Sequence, residues 1–170
     1  MIECLKGSKP WFVMGAITYL EDEFLENPYH PLKFKSFEWG SGGSTLWLSQ
    51  RTKSVITLEH DRDWLEKTRA ELEKYGITNV ALILRHLDNG YVEYIDGFPD
   101  ESFDIIMVDG RKRSDCLIRA MPKLKRGGAL VLDNSERAEY QDAVNKVPWQ
   151  RMDWDSGYSE GWVTTVWRKP

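Results

Sequence analysis

Short apolar runs alternate with amphipathic segments along most of the chain. Residues 54–59 and 103–110 are nearly continuous in hydrophobic character, which is typical of strands covered on both faces. Residues 61–76 instead space their apolar positions three or four apart, which indicates a helix. Asp61 suits the N-cap of this helix, and Gly76 lies where it would end.

The same patterns predict an order of elements for the whole chain. In sequence order they are a helix over residues 11–25, a strand over 34–39, a helix over 44–50, a strand over 54–59, a helix over 61–76, strands over 80–84 and 103–110, a helix over 114–125, a strand over 127–134, a helix over 136–147 and two strands between 149 and 169. Strand–helix alternation predicts an α/β fold with a parallel sheet covered on both faces. The two last strands predict a hairpin. Residues 1–170 are expected to form one domain.

Composition and charge narrow the possible functions. The chain has 170 residues, a net charge of −4 and an isoelectric point of about 5.5. This acidic balance argues against general nucleic-acid binding, which needs a basic surface. No apolar stretch approaches the ~20 residues that span a bilayer, and the N-terminus lacks the apolar core of a signal peptide. The two cysteines, Cys4 and Cys116, show no metal-binding spacing, and a cytoplasmic location is expected.

The stretch EWGSGGST concentrates flexible residues where the first predicted strand meets the next helix. Gly40 allows a sharp turn out of the strand, and Gly42 and Gly43 would let a ligand approach the backbone without a Cβ in the way. The free N–H groups of the following helix would then point into a ligand site. A tight turn uses the same residue types, so this glycine loop alone leaves both interpretations open.

Two acidic residues favour a ligand site. Glu59 follows Gly40 by 19 residues and ends the second predicted strand, a position that suits hydrogen bonds to ribose hydroxyls. A solvated carboxylate at a strand end is the alternative. Glu38 lies within the first predicted strand, where a buried charge is costly unless it is paired. A cationic ligand would pair it, whereas a pyrophosphate would be repelled. S-adenosylmethionine, with its sulfonium, ammonium and ribose, is such a ligand.

Four motifs, FEWGSGGST, TLEHD, FDIIMVDG and LKRGGALVLDN, occur in the order found in class I S-adenosylmethionine-dependent methyltransferases, and residues 11–169 resemble that family. The resemblance implies a three-layer Rossmann-like sandwich with a mostly parallel seven-stranded sheet ending in a β-hairpin. The residues that it implies at the methionine end of the cofactor are Glu38, Gly40, Ser41, Gly42 and Ser44. Those that it implies near the ribose, the adenine and the active centre are Glu59, His60, Leu87, Asp88 and Asp109.

Oxygen-bearing side chains follow two neighbouring predicted strands. Asp109 ends one strand, and Asp133 and Asn134 end the next, so the three would meet at one rim of the sheet and could hold a hard cation such as Mg²⁺. Lys112 could face the same pocket as a general base. The pattern is similar to that of divalent-metal-dependent O-methyltransferases, which implies that the three oxygen donors bind metal and that Lys112 removes a hydroxyl proton. Turn formation and helix capping are the alternative roles.

The sequence therefore predicts a methyltransferase that acts on an oxygen of a small-molecule or carrier-bound acceptor. S-adenosylmethionine would be the methyl donor, and Asp109 and Lys112 would be catalytic. A non-catalytic Rossmann-like module that binds a nucleoside or a partner is the alternative. Glu38 disfavours a third reading, a nucleotide-dependent oxidoreductase. No membrane partner is expected, and a homodimer in which a second subunit lends a lid is compatible with the sequence.

Basic and aromatic residues near the motifs also have candidate roles. Arg111 and Arg113 either select an acidic substrate or form a solvated edge. Trp11 is a candidate cap for the cofactor pocket. Core or hairpin packing is the role predicted for Trp47, Trp64, Trp149, Trp154, Trp162 and Trp167.

Overall fold

The computed structural model describes residues 10–25, 33–157 and 161–170, so Cys4 lies outside the described part of the chain. The strands in these residues are β1 (Lys35–Trp39), β2 (Ser54–Glu59), β3 (Val80–Leu84), β4 (Phe103–Val108), β5 (Leu124–Leu132), β6 (Gln150–Asp155) and β7 (Val163–Arg168). The α-helices are α1 (Met14–Leu20), α2 (Gly43–Arg51), α3 (Arg62–Lys74), α4 (Arg113–Lys123) and α5 (Gln141–Val144). None of these described helices is long and apolar enough to cross a lipid bilayer.

The strands form one sheet in the order β3-β2-β1-β4-β5-β7-β6. The pairs among β1 to β5 are parallel, whereas β7 pairs antiparallel with β5, and β6 pairs antiparallel with β7. The predicted α/β fold, with a mostly parallel seven-stranded sheet and a terminal hairpin, is confirmed. The strand order reverses at β1, which lies between β2 and β4. In such sheets, ligands bind beyond the carboxyl ends of the strands at this point.

Helices cover both faces of the sheet, which explains the continuous apolar character of its central strands. In β4, Ile105 and Met107 pack into the cluster that includes residues of α1 and α2. Ile106 and Val108 pack on the other face, into the cluster that includes residues of α4 and α5. All four are fully buried, and each such side chain contributes about 1.5–3 kcal/mol of hydrophobic stabilisation. Burial on both faces fixes where the carboxyl end of β4 emerges.

The first predicted helix is shorter than expected. α1 is α-helical from Met14 to Leu20 and continues as a π-helical turn over Glu21–Leu25. Trp11 therefore precedes the helix. Val13, the N-cap residue, donates its backbone N–H to Thr164 Oγ1 (3.0 Å), so a contact with β7 anchors the start of α1.

The chain around β5 also departs from the prediction. β5 follows α4 directly, without the intervening turn that the sequence predicted, and Pro122 lies in the last turn of that helix. The helix predicted over residues 136–147 is reduced to α5 and a preceding 3₁₀ turn. Glu136 accepts a hydrogen bond from the backbone N–H of Val163 (2.7 Å), so it serves the hairpin instead of a helix.

The loops after β1 and β4 touch through their backbones. Gly40 adopts a φ of +92°, and a Cβ there would lie 2.9 Å from the backbone nitrogen of Gly110. A Cβ on Gly110 would lie 3.0 Å from the backbone nitrogen of Gly40 and would collide with the Tyr91 hydroxyl oxygen. Gly40 therefore serves close packing between two loops as well as the predicted turn.

Replacing Gly110 with alanine should lower the free energy of unfolding by about 1–3 kcal/mol, because the added methyl group collides with Tyr91 and with the loop after β1. Gly97→Ala is the matched control, since a Cβ at Gly97 has no neighbour within 4 Å and its φ is not positive. Chemical denaturation of both variants measures the difference. Equal stability of the two variants would contradict the packing role of Gly110.

Candidate active site

A cavity of about 660 Å³, called the cleft below, opens at the carboxyl ends of β1, β2, β4 and β5. It lies where the strand order reverses. The described residues of its wall are Trp11, Gly40, Ser41, Glu59, His60, Asp61, Trp64, Asp109, Gly110, Arg111, Arg113, Asp133, Asn134 and Trp162. The predicted site residues among them are Gly40, Ser41, Glu59, His60, Asp109, Asp133 and Asn134. The fold thus brings many of the predicted site residues to one cavity.

Glu59 ties the glycine loop to the end of β2. Its Oε2 accepts hydrogen bonds from the backbone N–H (2.9 Å) and the hydroxyl (3.0 Å) of Ser41. Its Oε1 accepts from the N–H groups of His60 (2.7 Å) and Asp61 (3.0 Å), and His60 Nδ1 lies 2.8 Å from the same oxygen. Glu59 is only 3% exposed, so it is not a solvated carboxylate at a strand end.

Glu38 lies behind the glycine loop and not in the described cleft wall. It is fully buried, and its Oε2 accepts hydrogen bonds from Thr45 (2.7 Å) and Thr57 (2.9 Å). Thr45 Oγ1 accepts in turn from the backbone N–H of Gly42 (3.0 Å). Burial raises the pKa of Glu38 to about 7, although the hydroxyls of Ser44, Thr45 and Thr57 oppose this shift. The carboxyl group of Glu38 thus orders the glycine loop from beneath, and its predicted place at the methionine end of the cofactor stays a prediction.

Gly42 and Ser44 also lie outside the described cleft wall. α2 begins between them, at Gly43, and Ser44 is only 5% exposed because it belongs to the buried first turn of that helix. Of the predicted glycine-loop contacts, the structure therefore brings only Gly40 and Ser41 to the cleft.

Trp64, which the sequence assigned to packing, lines the cleft and fixes the glycine loop. Its indole Nε1 donates to the carbonyl oxygen of Ser41 (2.6 Å), and the residue remains 40% exposed. Asp61 caps α3 as predicted, because it accepts a hydrogen bond from the Trp64 backbone N–H (2.9 Å). The short sequence distance from Trp64 to the end of β2 is the signal that could have placed it at the site.

Arg113 connects the loop after β4 with the loop after β5. Its guanidinium donates to the backbone carbonyl oxygens of Asp109 (2.9 Å), Gly110 (3.0 Å) and Asp133 (2.5 Å) and to the side-chain oxygen of Asn134 (3.3 Å). It also forms an ion pair with Asp109 Oδ1 (3.0 Å). Arg113 is only 9% exposed. It is therefore neither a solvated edge nor a group left free for a substrate.

The oxygens predicted to hold a metal surround this guanidinium. Asp109 and Asn134 bond to Arg113 directly, and Asp133 Oδ1 accepts a hydrogen bond from the Thr164 hydroxyl (2.7 Å). Within the described ranges, no three or more His, Cys, Asp or Glu side chains form a group suited to a metal ion. A divalent cation would have to displace the arginine or face its repulsion. The residues therefore do not fit the predicted Mg²⁺ site.

Asp109 lies in the cleft wall with a raised pKa. Burial raises the pKa of this carboxyl group to about 7, Arg113 opposes the shift, and the charge of Asp133 reinforces it. The side chain remains 26% exposed, and Arg113 pairs with Oδ1. The arrangement gives an oriented carboxyl group that changes protonation near neutral pH.

Lys112 bonds to the loop after β3 through its ammonium group. It has a left-handed backbone conformation, with a φ of +50°, and its ammonium donates to the carbonyl oxygen of Leu87 (2.8 Å) and lies 3.4 Å from Asp88 Oδ1. These three residues lie outside the described cleft wall, and the Asp88 side chain is 99% exposed. The left-handed turn thus places the Lys112 ammonium against the loop after β3, and the roles predicted for Lys112 as general base and for Leu87 and Asp88 at the adenine stay predictions.

A chain of hydrogen bonds attaches the starts of α1 and β7 to the end of β5. The Val13 N–H donates to Thr164 Oγ1 (3.0 Å), and the Thr164 hydroxyl donates to Asp133 Oδ1 (2.7 Å). Trp11 and Trp162 each lie two residues before a member of this chain, and both line the cleft. The sequence predicted a pocket position for Trp11 but assigned Trp162 to packing, since only the folded sheet brings β7 beside β5.

Comparison with known proteins identifies the family. Residues 37–135, more than half of the chain, match the sequence profile of the methyltransferase domain. This span contains the glycine loop, Glu59 and Asp109. The chain belongs to this methyltransferase-domain family, and its resemblance to class I S-adenosylmethionine-dependent methyltransferases is confirmed.

Individual relatives differ in their acceptors. The chain is 31% identical over 120 residues to a protein described as the probable cobalt-precorrin-6B C(15)-methyltransferase (decarboxylating) of Sulfurisphaera tokodaii, covering 68% of this chain and 57% of that protein. It is 30% identical over 84 residues to the 8-demethyl-8-(2,3-dimethoxy-alpha-L-rhamnosyl)-tetracenomycin-C 4′-O-methyltransferase of Streptomyces olivaceus, covering 48% and 31%. An rRNA methylase structure from Streptococcus thermophilus shares the fold, with a TM-score of 0.71, 16% identity and coverage of 92% and 95%. The chain spans less than two thirds of either curated relative.

The free energy of unfolding should fall as the pH rises from about 4.5 to about 7, because Glu38 binds its proton more tightly in the folded protein than in the unfolded chain. Glu38→Gln keeps an oxygen acceptor for Thr45 and Thr57 but cannot ionise. Over this range, the free energy of unfolding should fall less in the variant than in the wild type, and the difference should reach up to about 3 kcal/mol. Denaturant unfolding between about pH 5 and pH 8 measures the two slopes.

The control for this measurement is Glu66→Gln, because Glu66 is an exposed residue of α3. Its pH slope should match that of the wild type. A residual slope is expected in Glu38→Gln, since Asp109 has a raised pKa and contributes with the same sign. Identical slopes in the wild type and in Glu38→Gln would show that Glu38 does not titrate in this range.

Proposed function

We propose that this protein binds S-adenosylmethionine in the cleft and transfers its methyl group to an acceptor that enters the same cleft. The observation that carries the proposal is the buried Glu59 carboxylate at the carboxyl end of β2, bonded to the glycine loop in a wall that also contains Asp61 and Asp109. These acidic groups suit a cationic nucleoside and would repel a pyrophosphate. When bound, S-adenosylmethionine supplies an electrophilic methyl group and leaves as S-adenosylhomocysteine.

Ser41 gives Glu59 a way to accept ribose hydroxyls. The carboxylate has about four lone-pair positions, and four protein donors already engage it, one of them the Ser41 hydroxyl. That hydroxyl also lies 3.1 Å from Thr68 Oγ1, whose own proton can be donated to the carbonyl oxygen of Trp64 (3.1 Å). Rotation of the Ser41 hydroxyl towards Thr68 frees a position on Glu59 at little cost, because one hydrogen bond replaces another.

Flat side chains beside Glu59 provide a surface for the adenine base. The His60 ring and the exposed indole of Trp64 both line the cleft, next to the carboxylate assigned to the ribose. Aromatic faces stack favourably on planar bases. We assign the base to this surface in place of Leu87 and Asp88.

The acceptor nucleophile is an oxygen whose proton passes to Asp109. Burial raises the pKa of Asp109 to about 7, which suits a general base near neutral pH, and Arg113 orients the carboxylate through Oδ1. As the acceptor oxygen attacks the methyl carbon, Asp109 takes its proton. The 4′-O-methyltransferase name of the Streptomyces olivaceus relative supports oxygen as the acceptor atom. The C(15)-methyltransferase name of the Sulfurisphaera tokodaii relative makes carbon the competing choice.

A non-catalytic nucleoside-binding module is the second candidate. The position of Lys112 outside the described cleft wall supports this candidate, because its ammonium bonds to the carbonyl oxygen of Leu87 and not to a group of the cleft. Asp109 favours catalysis, since it is a cleft residue that can take up a proton near pH 7.

Calorimetric titration should show binding of S-adenosylmethionine and no comparable binding of NAD. Glu59→Gln should weaken S-adenosylmethionine binding by about 10-fold or more, because a hydrogen bond to a charged group is worth about 1.5–3 kcal/mol. Glu66→Gln, at an exposed position on α3, is the matched control. A chelator is present throughout, since the oxygens around Arg113 do not fit a metal. Binding of NAD alone would overturn the proposal.

Binding of S-adenosylmethionine near pH 7 should release protons from Asp109. A sulfonium in the cleft favours the ionised carboxylate and lowers its pKa from about 7. S-adenosylhomocysteine, which lacks the sulfonium, should release fewer protons. Titrations in two buffers of different ionisation enthalpy measure the number of protons, and Asp109→Asn should remove most of the difference between the two ligands. An unchanged difference in Asp109→Asn would place the titrating group elsewhere.

A further inference from the structure

The cleft wall has two sides with different chemistry. The side formed by β1, β2 and α3 carries the glycine loop, Glu59 and Trp64, which the proposed function assigns to the methyl donor. The opposite side, called the acceptor side below, is formed by the loops after β4 and β5 and by the segments before α1 and β7. It presents three side chains that the proposed reaction does not use: Arg111, Trp11 and Trp162.

Arg111 and Arg113 belong to the same stretch of chain but differ in their bonding. Arg113 is buried, and its guanidinium is bonded to the loops after β4 and β5. Arg111 is exposed, and its backbone N–H donates to the hydroxyl oxygen of Tyr91 (3.3 Å). The Arg111 guanidinium has no hydrogen bond or ion pair with any described residue. It therefore presents a planar set of N–H donors that matches a carboxylate in the cleft.

The two indoles of the acceptor side lie near the end of β5. Trp11 is 81% exposed and Trp162 is 38% exposed. The hydrogen bonds from Val13 to Thr164 and from Thr164 to Asp133 hold the segments that carry both tryptophans at this side of the cleft. A flat ligand that covers exposed indole surface gains hydrophobic and stacking energy.

The charges of the wall decide which anion fits beside Arg111. Four carboxyl groups, from Glu59, Asp61, Asp109 and Asp133, line the cleft. Arg113 is already committed to the loops around it, so Arg111 is the arginine of the described wall that can pair with a ligand. A phosphate carries close to two negative charges at neutral pH and meets more repulsion than a carboxylate with one. A single carboxylate is the better match.

We propose that the acceptor is a planar, conjugated molecule that carries a carboxylate. Its ring lies against Trp11 and Trp162, and its carboxylate pairs with Arg111. This inference rests on the proposed function, because it places the acceptor opposite the side assigned to the methyl donor. Of the two roles predicted for Arg111, it assigns selection of an acidic substrate.

Four probes separate the contributions of ring and charge. 3-Hydroxy-2-naphthoate has a planar ring and a carboxylate, 2-naphthol lacks the carboxylate, cyclohexanecarboxylate lacks the planar ring, and 2-naphthyl phosphate carries the larger charge. Each is titrated calorimetrically into the protein, with and without saturating S-adenosylhomocysteine. S-adenosylmethionine is titrated separately. A failure to bind S-adenosylmethionine would contradict the proposed function, whereas the probe titrations test the acceptor class.

Of the four probes, 3-hydroxy-2-naphthoate should bind most tightly. Arg111→Gln should weaken its binding by about 10-fold and leave 2-naphthol unaffected, because only the carboxylate contacts the guanidinium. Trp11→Ala should weaken 3-hydroxy-2-naphthoate and 2-naphthol to a similar degree, and Trp11→Phe should retain most of the binding of these two compounds. Arg126→Gln is the matched control, since Arg126 is an exposed arginine near the opposite end of β5.

Four outcomes would overturn the acceptor class. The first is equal affinity of the wild type for 3-hydroxy-2-naphthoate and 2-naphthol. The second is the same loss of 3-hydroxy-2-naphthoate binding in Arg111→Gln and Arg126→Gln. The third is tighter binding of 2-naphthyl phosphate than of 3-hydroxy-2-naphthoate by the wild type. The fourth is a wild-type protein that binds none of the probes while it binds S-adenosylmethionine.

Discussion

The buried guanidinium of Arg113 is the interaction on which the acceptor half of the cleft depends. It holds the chain after β4 to the chain after β5 through backbone carbonyl oxygens, and it balances the charge of Asp109. Breaking a buried ion pair costs about 3–5 kcal/mol, because the remaining charge is left without a partner in a poorly solvated place. At the place where the sequence predicted a divalent cation, the Arg113 guanidinium of the chain itself thus supplies the positive charge. It orients Asp109 and leaves the neighbouring Arg111 free.

Much of the fold could be predicted because its signals are local. Residues 54–59 and 80–84 have the same bounds in the sequence pattern and in the structure, because each strand is a short apolar run with polar or turn residues on both sides. Glu59 was identifiable for a related reason: in a parallel sheet, the last residue of a strand next to the switch point reaches the ligand end. The spacing between the glycine loop and Glu59 is fixed by one helix and one strand, which the chain itself encodes.

The remainder of the candidate site depends on side-chain direction and on contacts between distant segments. Lys112 has the predicted position in the sequence, but its left-handed backbone turns the side chain towards the loop after β3. Arg113, one residue later, reaches across to Asn134. Trp162 reaches the cleft only because β7 pairs antiparallel with β5. Neither residue type nor spacing along the chain specifies where these three side chains lie.

The position of β6 at the border of the sheet has a consequence for self-association. Its outward residues include Arg151, Asp153 and Asp155, which are exposed, and Arg151 forms an ion pair with Asp153. A strand from another copy that paired along this border would desolvate these charged side chains. Natural proteins place charged residues on edge strands to discourage edge-to-edge aggregation. Continuous sheets across two molecules are therefore disfavoured at β6.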